Sequence, residues 1–200
     1  MNDKPTIAIT MGDPSGVGPE LCLKLLTDVE THSICQPVIF GSAEILKLAA
    51  AELDLKAPNN ILSYKDWRNL ESLDPELRVI DIGNISSKEL VKGQVSQQSG
   101  KASWEYLDEA INATLSKKFD ALTTCPINKD SINKAGYKYP GHTEILADKT
   151  SSNEYCMMQY SEEITASFVT CHVGLKDACS LINQDRVLSV IELTAKALKS

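Results

Sequence analysis

Two rhythms alternate along the chain, short β-branched or apolar runs and longer stretches whose apolar positions recur with a period of about 3.6 residues. Thr6–Thr10 is a β-branched run that predicts a strand. It leads into Met-Gly-Asp-Pro-Ser-Gly-Val-Gly-Pro-Glu (11–20), a glycine-rich turn whose Pro19 and Glu20 suit the first turn of a helix carrying Leu21, Leu23, Leu25 and Leu26. Pro37–Gly41 predicts a second buried strand, and Ser42 suits the cap of a helix running through Ile45, Leu46, Leu48 and Ala49 to about Leu53. Residues 54–77, broken by Pro58, Asn59, Asn60 and Pro75, predict a less regular connection around a short strand at Ile61–Ser63.

Arg78–Gly83 predicts the next strand. The small and apolar positions Ala102, Tyr106, Leu107, Ala110, Ile111, Thr114 and Leu115 then predict one long helix over 96–118, followed by a strand at Asp120–Cys125 that ends at Pro126. Residues 155–160 and 164–171 predict a hairpin across Ser161-Glu162-Glu163, an antiparallel departure from an otherwise parallel pattern. A helix near Leu175–Ile182 precedes a last one from Gln184, whose apolar face is read at Val187, Ile191, Thr194, Ala195 and Leu198. That face still runs at Leu198 without a stop signal, where an α/β chain more often continues to another strand. The order predicts a layered α/β/α fold with a mixed sheet.

Composition adds exclusions. Hydrophobic residues make up 42% of the 200 and charged residues 24%, the balance of a globular chain. No apolar stretch nears the roughly 20 residues of a spanning helix, and the first residues lack a signal-peptide pattern, so the expectation is a cytoplasmic protein. A net charge of −7 with no dense basic run argues against nucleic-acid and membrane partners and points to a small molecule. The six cysteines show no paired spacing and are read as reduced, mostly buried small hydrophobes.

Four places carry chemistry. The Gly12–Gly18 turn stands between a strand and a helix, where phosphates are often held, yet it matches neither common phosphate motif and brings Asp13 and Glu20. It reads either as a structural turn or as a ligand-facing loop. Lys129, after Asn128, could bind an anion, donate a proton, or stand solvated on a loop. Gly141-His142-Thr143-Glu144 opens a helix with an imidazole, a hydroxyl and a carboxylate in its first turn. His172 stands at a strand exit and could ligate a metal, although an ion takes about three protein ligands and no near neighbour in sequence supplies the others. His32 reads as solvent-facing.

Segments 7–20, 124–129 (Thr-Cys-Pro-Ile-Asn-Lys), 135–144 and 170–178 (Thr-Cys-His-Val-Gly-Leu-Lys-Asp-Ala) together resemble the 4-hydroxythreonine-4-phosphate dehydrogenase family. The stretch around His172 looks closer to the D-threonate or D-erythronate 4-phosphate subgroup. The resemblance implies a fold like that of isocitrate and isopropylmalate dehydrogenases, two lobes with the site in the cleft, and a homodimer. It also implies NAD- and metal-dependent oxidation and decarboxylation of a 4-phosphorylated hydroxy acid, with zinc, magnesium or cobalt as the ion. On the matching positions it makes His142 and Thr143 substrate-binding and His172 the first of three metal histidines. Lys129 and Asp13 fall in family motifs and are assigned to catalysis. It places the first lobe at 1–126 and a substrate, metal and interface segment at 127–200. The other two metal histidines have no counterpart here, so the expectation is a chain truncated at its C-terminal side, with an incomplete site and weak turnover. The competing reading is a short binding or regulatory form that keeps the phosphorylated-acid pocket.

Overall fold

The computed structural model describes residues 4–199, in the order β1 (Thr6–Thr10), α1 (Gly18–Thr27), α2 (Val29–Ile34), β2 (Gln36–Gly41), α3 (Ala43–Glu52), β3 (Ile61–Ser63), α4 (Tyr64–Arg68), β4 (Val79–Asp81), α5 (Gln97–Leu115), β5 (Ala121–Thr124), α6 (Lys129–Lys134), α7 (His142–Lys149), β6 (Met158–Tyr160), β7 (Thr165–Ser167), α8 (Leu175–Leu181) and α9 (Gln184–Ala197). They divide into two units, Met1–Gly141 and His142–Ser200.

The first unit is built on a five-stranded, all-parallel sheet in the order β3-β4-β2-β1-β5. The central strand β2 is buried from Pro37 to Gly41, as a parallel sheet covered on both faces requires. Around it, Val38, Ile39, Phe40, Val79 and Ile80 have no exposure to solvent. Phe40, Trp67 and Phe119 add an edge-on aromatic cluster with ring centroids 5.3 to 6.0 Å apart, each such pair worth about 0.5–1.5 kcal/mol beyond its buried area. Trp104 stacks on Tyr137 at 4.1 Å, tying α5 to the chain after α6.

Caps set the helix ends as the sequence pattern predicts. Ser42 accepts from the Ile45 N–H at 3.4 Å and Ser96 from the Ser99 N–H at 3.0 Å. The face of α5 that is buried carries Ala102, Tyr106, Leu107, Ala110 and Ile111, the periodic set. Helix α6 crosses it at Gly100, where a Cβ would overlap the backbone of Ser131. The segment after Pro126, as far as Gly141, therefore packs with the first unit.

Three short helices are absent from the sequence reading. Asp28, Ser63 and Asn128 cap α2, α4 and α6 with their own side chains. Glu109 on α5 receives Tyr64 Oη, Trp67 Nε1 and Arg68 Nη1, which holds α4 in the irregular connection. His32 is not solvent-facing: its Nε2 lies 2.9 Å from the Leu26 carbonyl.

In the second unit β6 and β7 form the antiparallel hairpin, as a separate two-stranded sheet. Asn183 caps α9 by accepting from the Arg186 N–H at 2.9 Å. The packed face of α9 differs from the one read in the sequence: Val190 is buried and Thr194 donates to Ser167 Oγ at 2.7 Å, whereas Ile191 and Leu198 are exposed. Residues three and four apart made two faces plausible, and the one able to bond the hairpin is the one that packs. Among the described residues no helix is long and apolar enough to cross a membrane.

Candidate functional site

Strand order makes the C-terminal end of β1 a switch point, since the chain leaves β1 toward β2 on one side and finds β5 on the other. Open α/β sheets place ligands outside such a point. Both the Gly12–Gly18 turn and the Cys125–Lys129 segment follow strands that end here, with Thr10 opposite Thr124. They are joined by the Asp13 N–H, which donates to the Pro126 carbonyl at 2.9 Å. Gly12 sits at φ 71°, and a Cβ there would overlap the same carbonyl, so glycine is required.

Asp13 is buried, 5% exposed. Its Oδ1 accepts from the Ser15 N–H at 2.8 Å, and Ser15 Oγ in turn bonds Ser99 Oγ on α5. Burial pushes its carboxyl above the ordinary range, against the opposing pull of the Ser15 N–H and the Ser131 and Ser15 hydroxyls. A raised carboxyl at a switch point is a candidate proton carrier. Lys129 opens α6 with an exposed side chain, two residues before the Ser131 that bonds Asp13. The structure thus brings Asp13 and the Asn128–Ser131 turn together within the first unit. A dinucleotide phosphate at this turn would meet the Asp13 carboxyl, so the turn does not fit a pyrophosphate cradle.

The second unit holds a separate pocket of about 270 Å³, whose lining includes Thr143, Glu144, Asn153, Cys171, His172 and Arg186. Thr143 comes from the first turn of α7. His172 comes from the bend after β7, where its φ of 58° puts a non-glycine residue in the left-handed region. Such a conformation costs on the order of 1 kcal/mol or more and recurs at functional sites. Arg186 donates from Nε to the Val169 carbonyl and from Nη2 to the Tyr155 carbonyl, both at 3.0 Å, so the backbone on either side of the hairpin fixes its guanidinium. Glu144 Oε2 is buried without a hydrogen-bond partner among the described residues. His142 begins α7 but is not among the pocket residues.

A hydroxyl, an amide, an imidazole and a held guanidinium suit a small oxyanion, while the Glu144 carboxylate in the same lining suits a cation, so the pocket offers groups for both signs of charge. Arg186 went unnoticed in the sequence, although one signal was there: a cation in the first turn of a helix opposes the helix dipole and invites a reason. For a metal the fit is incomplete. Among the described residues no group of three His, Cys, Asp or Glu side chains is placed to hold an ion, so His172 could serve as one ligand and the chain as described does not close the site.

A parallel α/β unit with a switch-point turn, followed by a hairpin unit with a polar pocket, defines the class. The chain belongs to the family of the pyridoxal phosphate biosynthetic protein PdxA, whose model matches residues 33–200. It is 39% identical to a protein of Oceanobacillus iheyensis provisionally named D-threonate 4-phosphate dehydrogenase, over 100% of this chain and 60% of that one. A Clostridium botulinum protein of the same name is 37% identical, over 100% and 59%. The solved 4-hydroxythreonine-4-phosphate dehydrogenases of Klebsiella pneumoniae and Burkholderia phymatum are 29% and 34% identical, with TM-scores of 0.84 and 0.79. They are matched over 100% and 96% of this chain and 60% and 57% of theirs. The chain therefore spans about 60% of the length of the relatives it matches.

Proposed function

We propose that the chain serves a dehydrogenase acting on a 4-phosphorylated hydroxy acid, of the D-threonate 4-phosphate or 4-hydroxythreonine 4-phosphate kind, in the cytoplasm and as a homodimer. The observation that carries the reading is the pocket in which Thr143, His172 and Arg186 meet. Two of the five N–H donors of Arg186 are engaged with carbonyls, which leaves others for a carboxylate or phosphate oxygen. The Thr143 hydroxyl would orient the same ligand. His142, next to Thr143, belongs to the substrate-binding pair, and Asp13 and Lys129 are the candidates for moving or holding a proton at the switch point.

NAD would accept the hydride and a divalent ion, zinc, magnesium or cobalt, would bind the hydroxy acid with His172 as one ligand. The remaining contacts to both would have to come from outside the described residues. A binding form without turnover is the second reading; among the described residues no group of three His, Cys, Asp or Glu side chains is placed to hold an ion.

Calorimetry with both phosphorylated acids, with and without a divalent ion, tests the proposal. It is expected to show binding that Thr143→Val and Arg186→Met each weaken by roughly tenfold, the worth of one good hydrogen bond. No binding of either acid overturns the assignment. NAD reduction by this chain at the rate of a complete enzyme (a kcat of roughly 1 s⁻¹ or more) overturns the incomplete-site reading.

A further inference from the structure

We propose that Cys22 and Cys125 form a redox pair that closes to a disulfide when a peroxide oxidises Cys125. The two sulfurs lie 3.7 Å apart although the residues are 103 positions apart in the chain. Among the described residues no other two cysteines are in sulfur–sulfur contact, and all six are free thiols. Cys22 sits on α1 with no exposure to solvent, while Cys125 is only half-buried, at the end of β5. Cys125 is thus the more accessible of the two, and Cys22 is held in reserve behind it.

The hydrogen bond between them acts in opposite senses. The contact with Cys125, together with burial, holds the Cys22 thiol well above the usual range, and the contact with Cys22 lowers Cys125 against the effect of burial. Thiolate character therefore gathers on the accessible member, the pattern of a reacting and a resolving cysteine. The Cys125 thiolate attacks one peroxide oxygen and the O–O bond breaks; the sulfur becomes a sulfenic acid and the leaving hydroxide takes a proton to become water. Cys22 then gives up its proton as its sulfur attacks Cys125, the S–O bond breaks and a second water leaves. Two thiols and one peroxide become one disulfide and two waters, and a small thiol reverses the bond.

The position matters because Cys125 precedes Pro126, whose carbonyl holds the Asp13 N–H. A bond from α1 to this point would pin the switch-point turn from below. The inference does not depend on the substrate proposed above.

The test treats the folded 200-residue chain with hydrogen peroxide and measures intact mass, free thiols and linked peptides. The expected result is loss of two hydrogens, a fall from six titratable thiols to four, and one cross-linked peptide pair joining Cys22 to Cys125, reversed by dithiothreitol. Cys125→Ser and Cys22→Ala each abolish the link, with circular dichroism to confirm folding; should Cys22→Ala fail to fold, the peptide map of the parent chain still decides. Closing so long a loop is expected to raise the urea midpoint by roughly 1 M or more. Linkage of other cysteines, linkage only in urea, conversion of Cys125 to a sulfinic acid beside a free Cys22, or a midpoint that falls on oxidation would each overturn the proposal.

Discussion

The two units hold together by different means. In the first, the strands that pair also bury: Ala8, Val38, Ile39, Phe40, Val79 and Ile80 are inaccessible, and helices cover both faces of the sheet they form. In the second, Leu175, Tyr160 and Ile164 stand 87%, 71% and 71% exposed, and Val190 is the one buried apolar residue of its last helix. Helix α7 of that unit buries Ile145 and Ala147, and the hairpin and last helix are held by a set of directed bonds: the Arg186 pair to two carbonyls, the Asn183 cap and the Thr194–Ser167 bond. Burial is non-directional and spread over many residues, whereas a few polar bonds place a few atoms well. The pocket lined by Thr143, His172 and Arg186 lies in the second unit, so the same guanidinium that lines it also orders its walls.

The sharpest way to break this contrast is to remove equal amounts of apolar side chain from each unit. Ile39→Ala is expected to cost about 2–5 kcal/mol of stability in urea unfolding, and Leu175→Ala less than about 0.5 kcal/mol. Comparable losses would show that the second unit buries more than the structure implies. Arg186→Met comes next, with an expected local cost of about 1.5–3 kcal/mol for two bonds from a charged donor. Hydrogen exchange should quicken around β6, β7 and α9 and stay unchanged across β1, β2 and β4; acceleration in both places would mean the units unfold as one.

Much of the first unit was legible in the sequence because each of its elements is locally determined. The β-branched run at Thr6–Thr10, the Ser42 cap and the periodic face of α5 need no knowledge of the partner they pack on. The short helices α2, α4 and α6 were missed because a helix of five or six residues has no periodic face to show and is stabilised by its cap and its neighbours. Cysteine burial was also overestimated: Cys22 alone is fully buried, and Cys179 is exposed. Of the site, Thr143 and His172 could be picked out from motifs. Their meeting with Arg186 could not, since it rests on the chain after β7 turning through a left-handed His172 and on α9 returning to the hairpin.

Two smaller effects sharpen the comparison. The same capping device appears in both units, so Ser42→Ala and Asn183→Ala should each cost about 1 kcal/mol. The difference to measure is where: the first in global unfolding, the second in exchange confined to the second unit. The smallest effect concerns pH. The Asp13 carboxyl is raised in the folded state, so its contribution to stability is full below the ordinary carboxylate pKa of about 3.9 and is lost as pH rises through the raised value. Asp13→Asn does not titrate and should therefore gain on the parent chain as pH increases through that window. A stability difference flat in pH, measured by urea titration at several pH values, would remove the buried-carboxyl account.

The placement of the aromatic rings has a spectroscopic consequence. Both tryptophans belong to the first unit, Trp67 against Phe40 and Phe119 and Trp104 against Tyr137, while the aromatic residues of the second unit are Tyr155, Tyr160 and Phe168. Tryptophan emission therefore watches the sheet and is blind to the pocket. Separate opening of the hairpin unit would pass unseen in fluorescence while altering the far-ultraviolet dichroism of α7, α8 and α9, so transitions followed by the two signals would not coincide. A tryptophan introduced at Tyr160 would give the pocket-bearing unit a fluorophore of its own.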